Sequence, residues 1–300
     1  MPFFLLFILM LCTTKACFPD QTDSLINITY VNSYHQGYLP SDNNLEGFIQ
    51  AFDVENVKIK LIYMDTKNHV DPEYADSVGK MIIEDLLKEK PDFLVISDDP
   101  AMKYVAMPFS DVSDIPILFS GVNWSIEEYA VAGKNITGIL EYLPVEQFVN
   151  YFKMTEWSRQ KVAVLTENSF SEVKSSGFIK EILIAEGYEV DYFFVSEFAE
   201  WVSTFMALND LGVMICLPTN GAIKNWDKSY ALDLITTNTK VPTFTFDSFM
   251  MDYVTIGFIK NEEEMGRQIA EIIKSILNGK SIMEIPFSRN YEYEILTNNI

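Results

Sequence analysis

Seven short apolar runs in this chain end in residues able to hold a small polar molecule. Residues 26–32 lead into Ser33, Tyr34 and His35, residues 58–64 into Asp65-Thr66-Lys67, and residues 93–97 into Asp98 and Asp99. A fourth run ends in Gly121-Val122-Asn123-Trp124. In the second half, residues 161–166 precede Glu167-Asn168-Ser169, residues 213–217 precede Pro218-Thr219-Asn220-Gly221, and residues 241–246 precede Asp247-Ser248. Hydroxyls and amides at such places exchange hydrogen bonds with a guest, acids pair with an ammonium, and an aromatic ring stacks. The candidate contacts are therefore Ser33, Tyr34, His35, Asp98, Asp99, Asn123 and Trp124 from the first half. Asn168, Ser169 and Asp247 answer them from the second. Each polar position has a plainer use, because Asp, Asn and Ser after a strand also cap the following helix. Asp98-Asp99 before Pro100 can serve both purposes, one acid capping a helix that Pro100 starts and the other facing a ligand ammonium. Trp124 in a loop stacks on a ligand or fills a contact between lobes.

Catalytic and cofactor motifs do not form around these residues. No G-x-S-x-G nucleophile elbow and no G-x-G-x-x-G fingerprint occurs, and Gly279-Lys280-Ser281 has Lys274 where a phosphate loop needs glycine. The two histidines, His35 and His69, have no metal-ligand spacing with the acids. The expectation is a binding site with no catalytic residue, no metal and no cofactor.

The elements that must position the candidates alternate in type. Ten β-rich apolar runs (26–32, 58–64, 93–97, 115–120, 136–140, 161–166, 189–195, 213–217, 241–246 and 255–259) are separated by stretches with helical spacing. In 74–90, Val78, Met81, Ile82 and Leu86 recur at three and four, and 176–185 and 262–277 behave alike. Strands alternating with helices imply right-handed crossovers and parallel sheets covered on both faces. Ten strands in 300 residues exceed one such sheet, so the expected fold is α/β with two doubly wound parallel-sheet lobes. Lobe 1 is expected at 25–139 plus 260–280, and lobe 2 at 140–259 plus 281–300. Crossings between them are expected near 138–144, 257–261 and 279–285. Ligands of open parallel sheets bind beyond the carboxyl ends of the strands, where the polar residues stand.

Composition narrows the function classes. The chain is 48% hydrophobic and carries 22 Lys plus Arg against 43 Asp plus Glu, a formal net charge of −21. That charge repels nucleic acid and anionic lipid, and the three cysteines are too few for a disulfide scaffold. Residues 3–12 are continuously apolar, well short of the roughly 20 residues a spanning helix needs but matching the core of an export signal. Residues 1–16 are read as a signal peptide. Thr14 and Ala16 suit cleavage before Cys17, and Ala16-Cys17 equally suits a lipoprotein signal that leaves Cys17 acylated. The mature protein is expected outside the cytoplasm, free or tethered by its amino terminus.

Several of these segments resemble one family. They are Val31-Asn32-Ser33-Tyr34-His35-Gln36-Gly37-Tyr38 with Ser41-Asp42, Asp65-Thr66-Lys67, Ser97-Asp98-Asp99 with Val105 and Pro108, Gly121-Val122-Asn123-Trp124, and Asn135-Ile136-Thr137-Gly138. From 160 to 285 the likeness continues in Gly257, Gly266, Ala270, Leu277-Asn278-Gly279-Lys280 and Ile285-Pro286. Together they resemble the substrate-binding proteins of ABC transporters related to the tryptophan/tyrosine-binding group, with the type I periplasmic-binding-protein fold. Leu39-Pro40 stands where that group usually shows Trp, Asn68 where Arg is commoner, and the chain stops soon after Tyr291-Glu292-Tyr293-Glu294 without the usual closing helix. The resemblance implies a three-crossing hinge, a cleft closing on a small amino-acid-like molecule, aromatic ones included, and an inner-membrane ABC permease as partner. A monomer is expected. A sensory module of the same fold, signalling to a membrane kinase or chemoreceptor, is the alternative, and an exported enzyme the third reading.

Overall fold

The computed structural model describes residues 25–52 and 56–299. The expected signal segment 1–16 and Cys17 lie outside the described residues. β1 (Ile26–Asn32), β2 (Val57–Tyr63), β3 (Phe93–Ser97), β4 (Ile117–Asn123) and β5 (Ile136–Glu141) build one sheet with the late, short β11 (Ser288–Arg289). Its order is β11-β5-β4-β3-β1-β2, with every neighbouring pair parallel. β6 (Lys161–Glu167), β7 (Glu189–Val195), β8 (Met214–Cys216), β9 (Thr243–Thr245) and β10 (Ile256–Lys260) form the second with β12 (Tyr293–Thr297). The order there is β12-β10-β9-β8-β6-β7, parallel except for the β10–β12 pair.

The residue pattern explains the placement. β3 and β4 are buried at every position and sit inside their sheet, as apolar runs covered on both faces must. β2 alternates Lys58 and Lys60 with apolar residues and lies at an edge, where charge discourages further strand pairing. β4 runs three residues past the expected 115–120 because Gly121 takes φ 78 and forms a bulge between Ser120 and Val122. Asn123 thereby still pairs with Glu141 of β5. The helix expected at 74–90 starts at Pro72, with the Asp71 side chain accepting from the Glu73 N–H at 2.9 Å. The one expected at 176–185 starts at Phe170.

Three chain crossings join the sheets. The first follows β5, and the second follows β10. The Glu262–Leu277 helix then returns to the first lobe and packs on Leu39–Ala51. Gly47 and Gly266 allow that approach: a Cβ on Gly266 would stand 1.9 Å from the Asn44 carbonyl oxygen, and one on Gly47 2.2 Å from that of Glu263. The third crossing departs from the expected 279–285. Residues 281–289 remain with the first lobe, where Thr137 Oγ1 donates to Ile285 O at 2.9 Å and β11 pairs with β5. The chain changes sheet between Arg289 and Tyr293. Each sheet has an apolar core on both faces, and Trp124 of the first lobe is buried in a core of the second with Phe148, Ile179 and Phe244.

Candidate functional site

The carboxyl ends of the two sets of strands face each other, and polar side chains from both meet there. From the first lobe come Tyr34 and Tyr38 after β1, Lys67 after β2, Asp98 and Asp99 after β3, and Trp124 after β4. The second lobe supplies Glu167 at the end of β6, Ser169, Ser171, Lys174 and Ser175 at the start of the Phe170–Ala185 helix, and Thr219 after β8.

Tyr34 hydroxyl lies 3.0 Å from Ser171 Oγ and 3.4 Å from Asp98 Oδ1. Tyr38 hydroxyl lies 3.3 Å from Thr219 Oγ1, and its ring meets Phe249 at 5.8 Å. Lys67 and Glu167 form a buried ion pair across the gap. Lys174 Nζ reaches back to Asp99 Oδ1 at 2.6 Å. The lobes are closed on each other.

The sequence candidates divide by how they are engaged. Ser33 is buried under the rim, its hydroxyl donating to Ser97 O at 2.5 Å and accepting from the Ala101 N–H at 2.8 Å. Asp99 is 0% exposed and saturated: it accepts from Asn123 N at 3.1 Å, Asn123 Nδ2 at 2.8 Å, Tyr129 hydroxyl at 2.7 Å and Lys174. Asn123 is thereby a support of Asp99. Trp124 is stacked on Phe178 and donates from Nε1 to Ser175 Oγ at 3.2 Å, so it fastens one lobe to the other. His35 stands at the outer rim, 3.5 Å from Asp65, and Asn168 is exposed. Ser169 donates to Glu167 at 2.7 Å, and Asp247 pairs with Lys260. Tyr34 and Asp98 are the first-lobe candidates that face the gap. Sequence reasoning named Tyr38, Lys67 and Glu167 without choosing them as contacts, and it passed over Ser171 and Lys174. The available signal was charge: Lys67 and Glu167 follow or close strands in equivalent rims with opposite sign.

The electrostatics of the gap favour cations. Asp98, Asp99, Glu141, Glu167, Glu172, Asp247 and Glu262 gather around Lys67, Lys103, Lys174 and Lys260, so acids outnumber bases. Lys260 lies beside Asp247, 3.6 Å from Glu141 and 3.8 Å from Glu262, where these carboxylates outweigh burial and hold its ammonium charged. Burial, and after it the charge of Asp99, pushes the Asp98 carboxyl up to about 7. Glu172 is likewise pushed up to about 7, by burial first and then by Glu167 and Asp247, with Lys67 opposing. Asp98 also has φ 67, a left-handed conformation that aims it toward the gap at some backbone cost.

A cavity of about 110 Å³ lies between the lobes, lined by Tyr34, Lys67, Lys103, Tyr104, Phe170 and Ser171 among others. A wider, more open one of about 810 Å³ lies toward the hinge, where Asn43 and Glu262 meet Ser248 and Lys260. Ligand pockets run to roughly 300–1,000 Å³, so a guest enters the smaller cavity only when the lobes part and these side chains give way. No group of three or more His, Cys, Asp or Glu suited to a metal ion occurs among the described residues.

Residues 35–300 match the family described as ABC transporter substrate binding protein. The chain belongs to that family. A curated relative, the tyrosine-binding protein of Clostridioides difficile (strain R20291), is 22% identical over 270 residues, covering 86% of this chain and 74% of that one. Among solved structures, an ABC domain from Streptococcus pneumoniae in complex with L-Trp superposes with a TM-score of 0.69 at 18% identity, covering 91% of this chain and 92% of the other. The ligand-free, open structure of a substrate-binding protein with adhesive properties from Clostridium difficile gives 0.66 at 19%, with coverage of 91% and 92%. These likenesses establish the type I periplasmic-binding-protein fold. Members of the family bind a small solute for an ABC permease, work outside the cytoplasm and are in general not enzymes. None of the helices among the described residues is long and apolar enough to cross a membrane.

Proposed function

We propose that this chain captures a small amino-acid-like solute between its lobes and delivers it to an ABC importer. The observation that carries the reading is the meeting of two polar rims, one from each lobe, over a hinge of three crossings. In such a device each rim offers half the contacts, and a guest that touches both favours the closed form over the open one. Tyr34 and Asp98 from the first lobe, with Ser171, Thr219 and Asp247 from the second, are the proposed contacts. The acid excess favours a ligand carrying an ammonium. Relatives whose names record tyrosine and L-Trp support an amino acid. The protein works as a monomer exported by the leader at 1–16, either freed by cleavage before Cys17 or held at the membrane surface through an acylated Cys17.

The test is a panel of amino acids, purines and sugars added to the mature protein in thermal-shift and small-angle scattering measurements. One solute class should raise the melting temperature and keep the scattering compact. A panel without any response defeats the reading.

A further inference from the structure

The Lys67–Glu167 pair joins the lobes across 100 residues of sequence, with side chains 2% and 0% exposed. Each half is organised without the other. In the first lobe, Lys67 Nζ lies 4.8 Å from the Tyr34 ring centre and 5.2 Å from that of Tyr38. Its loop is held by Thr66, whose hydroxyl donates to Ser33 O at 2.7 Å. In the second lobe, Glu167 accepts from Ala222 N at 2.6 Å, Ser169 Oγ at 2.7 Å and Thr219 Oγ1 at 3.4 Å. Parting the lobes therefore leaves an ammonium framed by two aromatic faces on one wall. On the other stands a carboxylate framed by donors.

We propose that these two groups are the poles of the ligand site. An α-amino acid zwitterion enters between them, its carboxylate on Lys67 and its ammonium on Glu167. The direct pair is then the same two groups meeting without a guest. The inference rests on the solute-binding reading above and narrows its ligand class. Charge compensation is the reason. A ligand with only an ammonium separates Lys67 from its carboxylate and replaces nothing, and one with only a carboxylate strands Glu167. A neutral polyol separates both. Each uncompensated charge is then buried on closure, which is costly.

The experiment is calorimetric titration of the full mature chain with the twenty proteinogenic L-amino acids. For the tightest of these, its decarboxylated amine and its deaminated acid follow. Removing either pole, in the ligand or by Lys67→Met or Glu167→Gln, should weaken binding by about 30-fold or more, as truncating one member of a buried charge pair does. Lys67→Arg should retain most of the affinity. Equal binding of the amine or the acid overturns the inference. So does Lys67→Met that opens the empty protein in scattering yet leaves affinity unchanged, because the pair is then a latch and not a subsite. Should no amino acid bind while a neutral polyol such as myo-inositol does, the inference falls together with the amino-acid-like part of the proposed function, and capture of a solute between the lobes stands. Should neither bind, both fall.

Discussion

Trp124 and Asp98 show how neighbouring rim positions take different work. Trp124 is 5% exposed, with Phe178 stacked on it at 5.7 Å and Tyr142 tilted against it at 4.9 Å. Its ring thus belongs to the core of the opposite lobe. Trp124→Ala should lower unfolding stability by about 3–5 kcal/mol, the usual cost of emptying so large a buried volume. Chemical denaturation of the variant measures this, and a loss under about 1 kcal/mol would contradict the packing described. Asp98 makes one long contact, at 3.4 Å, with Tyr34, and stays available. The same kind of strand end supplied both residues. Which became structural was decided by what the second lobe brought opposite.

Helix contacts decide where the hinge lies. The Glu262–Leu277 helix follows a strand of the second sheet yet buries Met265, Ile269 and Ile273 against the first lobe. Its crossing with Leu39–Ala51 leaves no room for a side chain at position 266. Gly266→Ala should therefore cost about 1–3 kcal/mol through forced displacement of the helix pair. A urea titration reads the loss, and an unchanged midpoint would show that the two helices separate freely. The apolar spacing of 262–277 was legible in the sequence. Its partner was not, since the i, i+3, i+4 pattern marks a buried face without saying what covers it. The same holds for β11 and β12: two and five residues long, they carry no alternation strong enough to announce themselves. The third crossing accordingly sits later than the residue pattern suggested.

At the scale of the whole molecule, closure is expected to be linked to proton binding. Asp98 and Glu172 rise from 3.8 and 4.5 to about 7 in the closed, ligand-free form. Between those values the closed state holds protons that a solvated, open state gives up. Closure of the empty protein should thus be favoured at acid pH, with the advantage lost as pH rises through about 7. Scattering of the ligand-free protein from pH 5 to pH 8.5 should show the radius of gyration increasing through that range. Asp98→Asn with Glu172→Gln should remove the change, and a wild-type radius independent of pH would refute the linkage.

The sequence by itself determined that two α/β lobes exist, that their strand ends are polar, and that the chain resembles the family to which it belongs. Periodicity and motif are local properties, written in neighbouring residues. Only the tertiary structure decided which rim residues meet. The Lys67–Glu167 pair, the saturation of Asp99 by Lys174 and the burial of Trp124 all join positions far apart in the chain. Pairing across a cleft depends on the angle between two separately folded bodies, and no spacing within either encodes that angle.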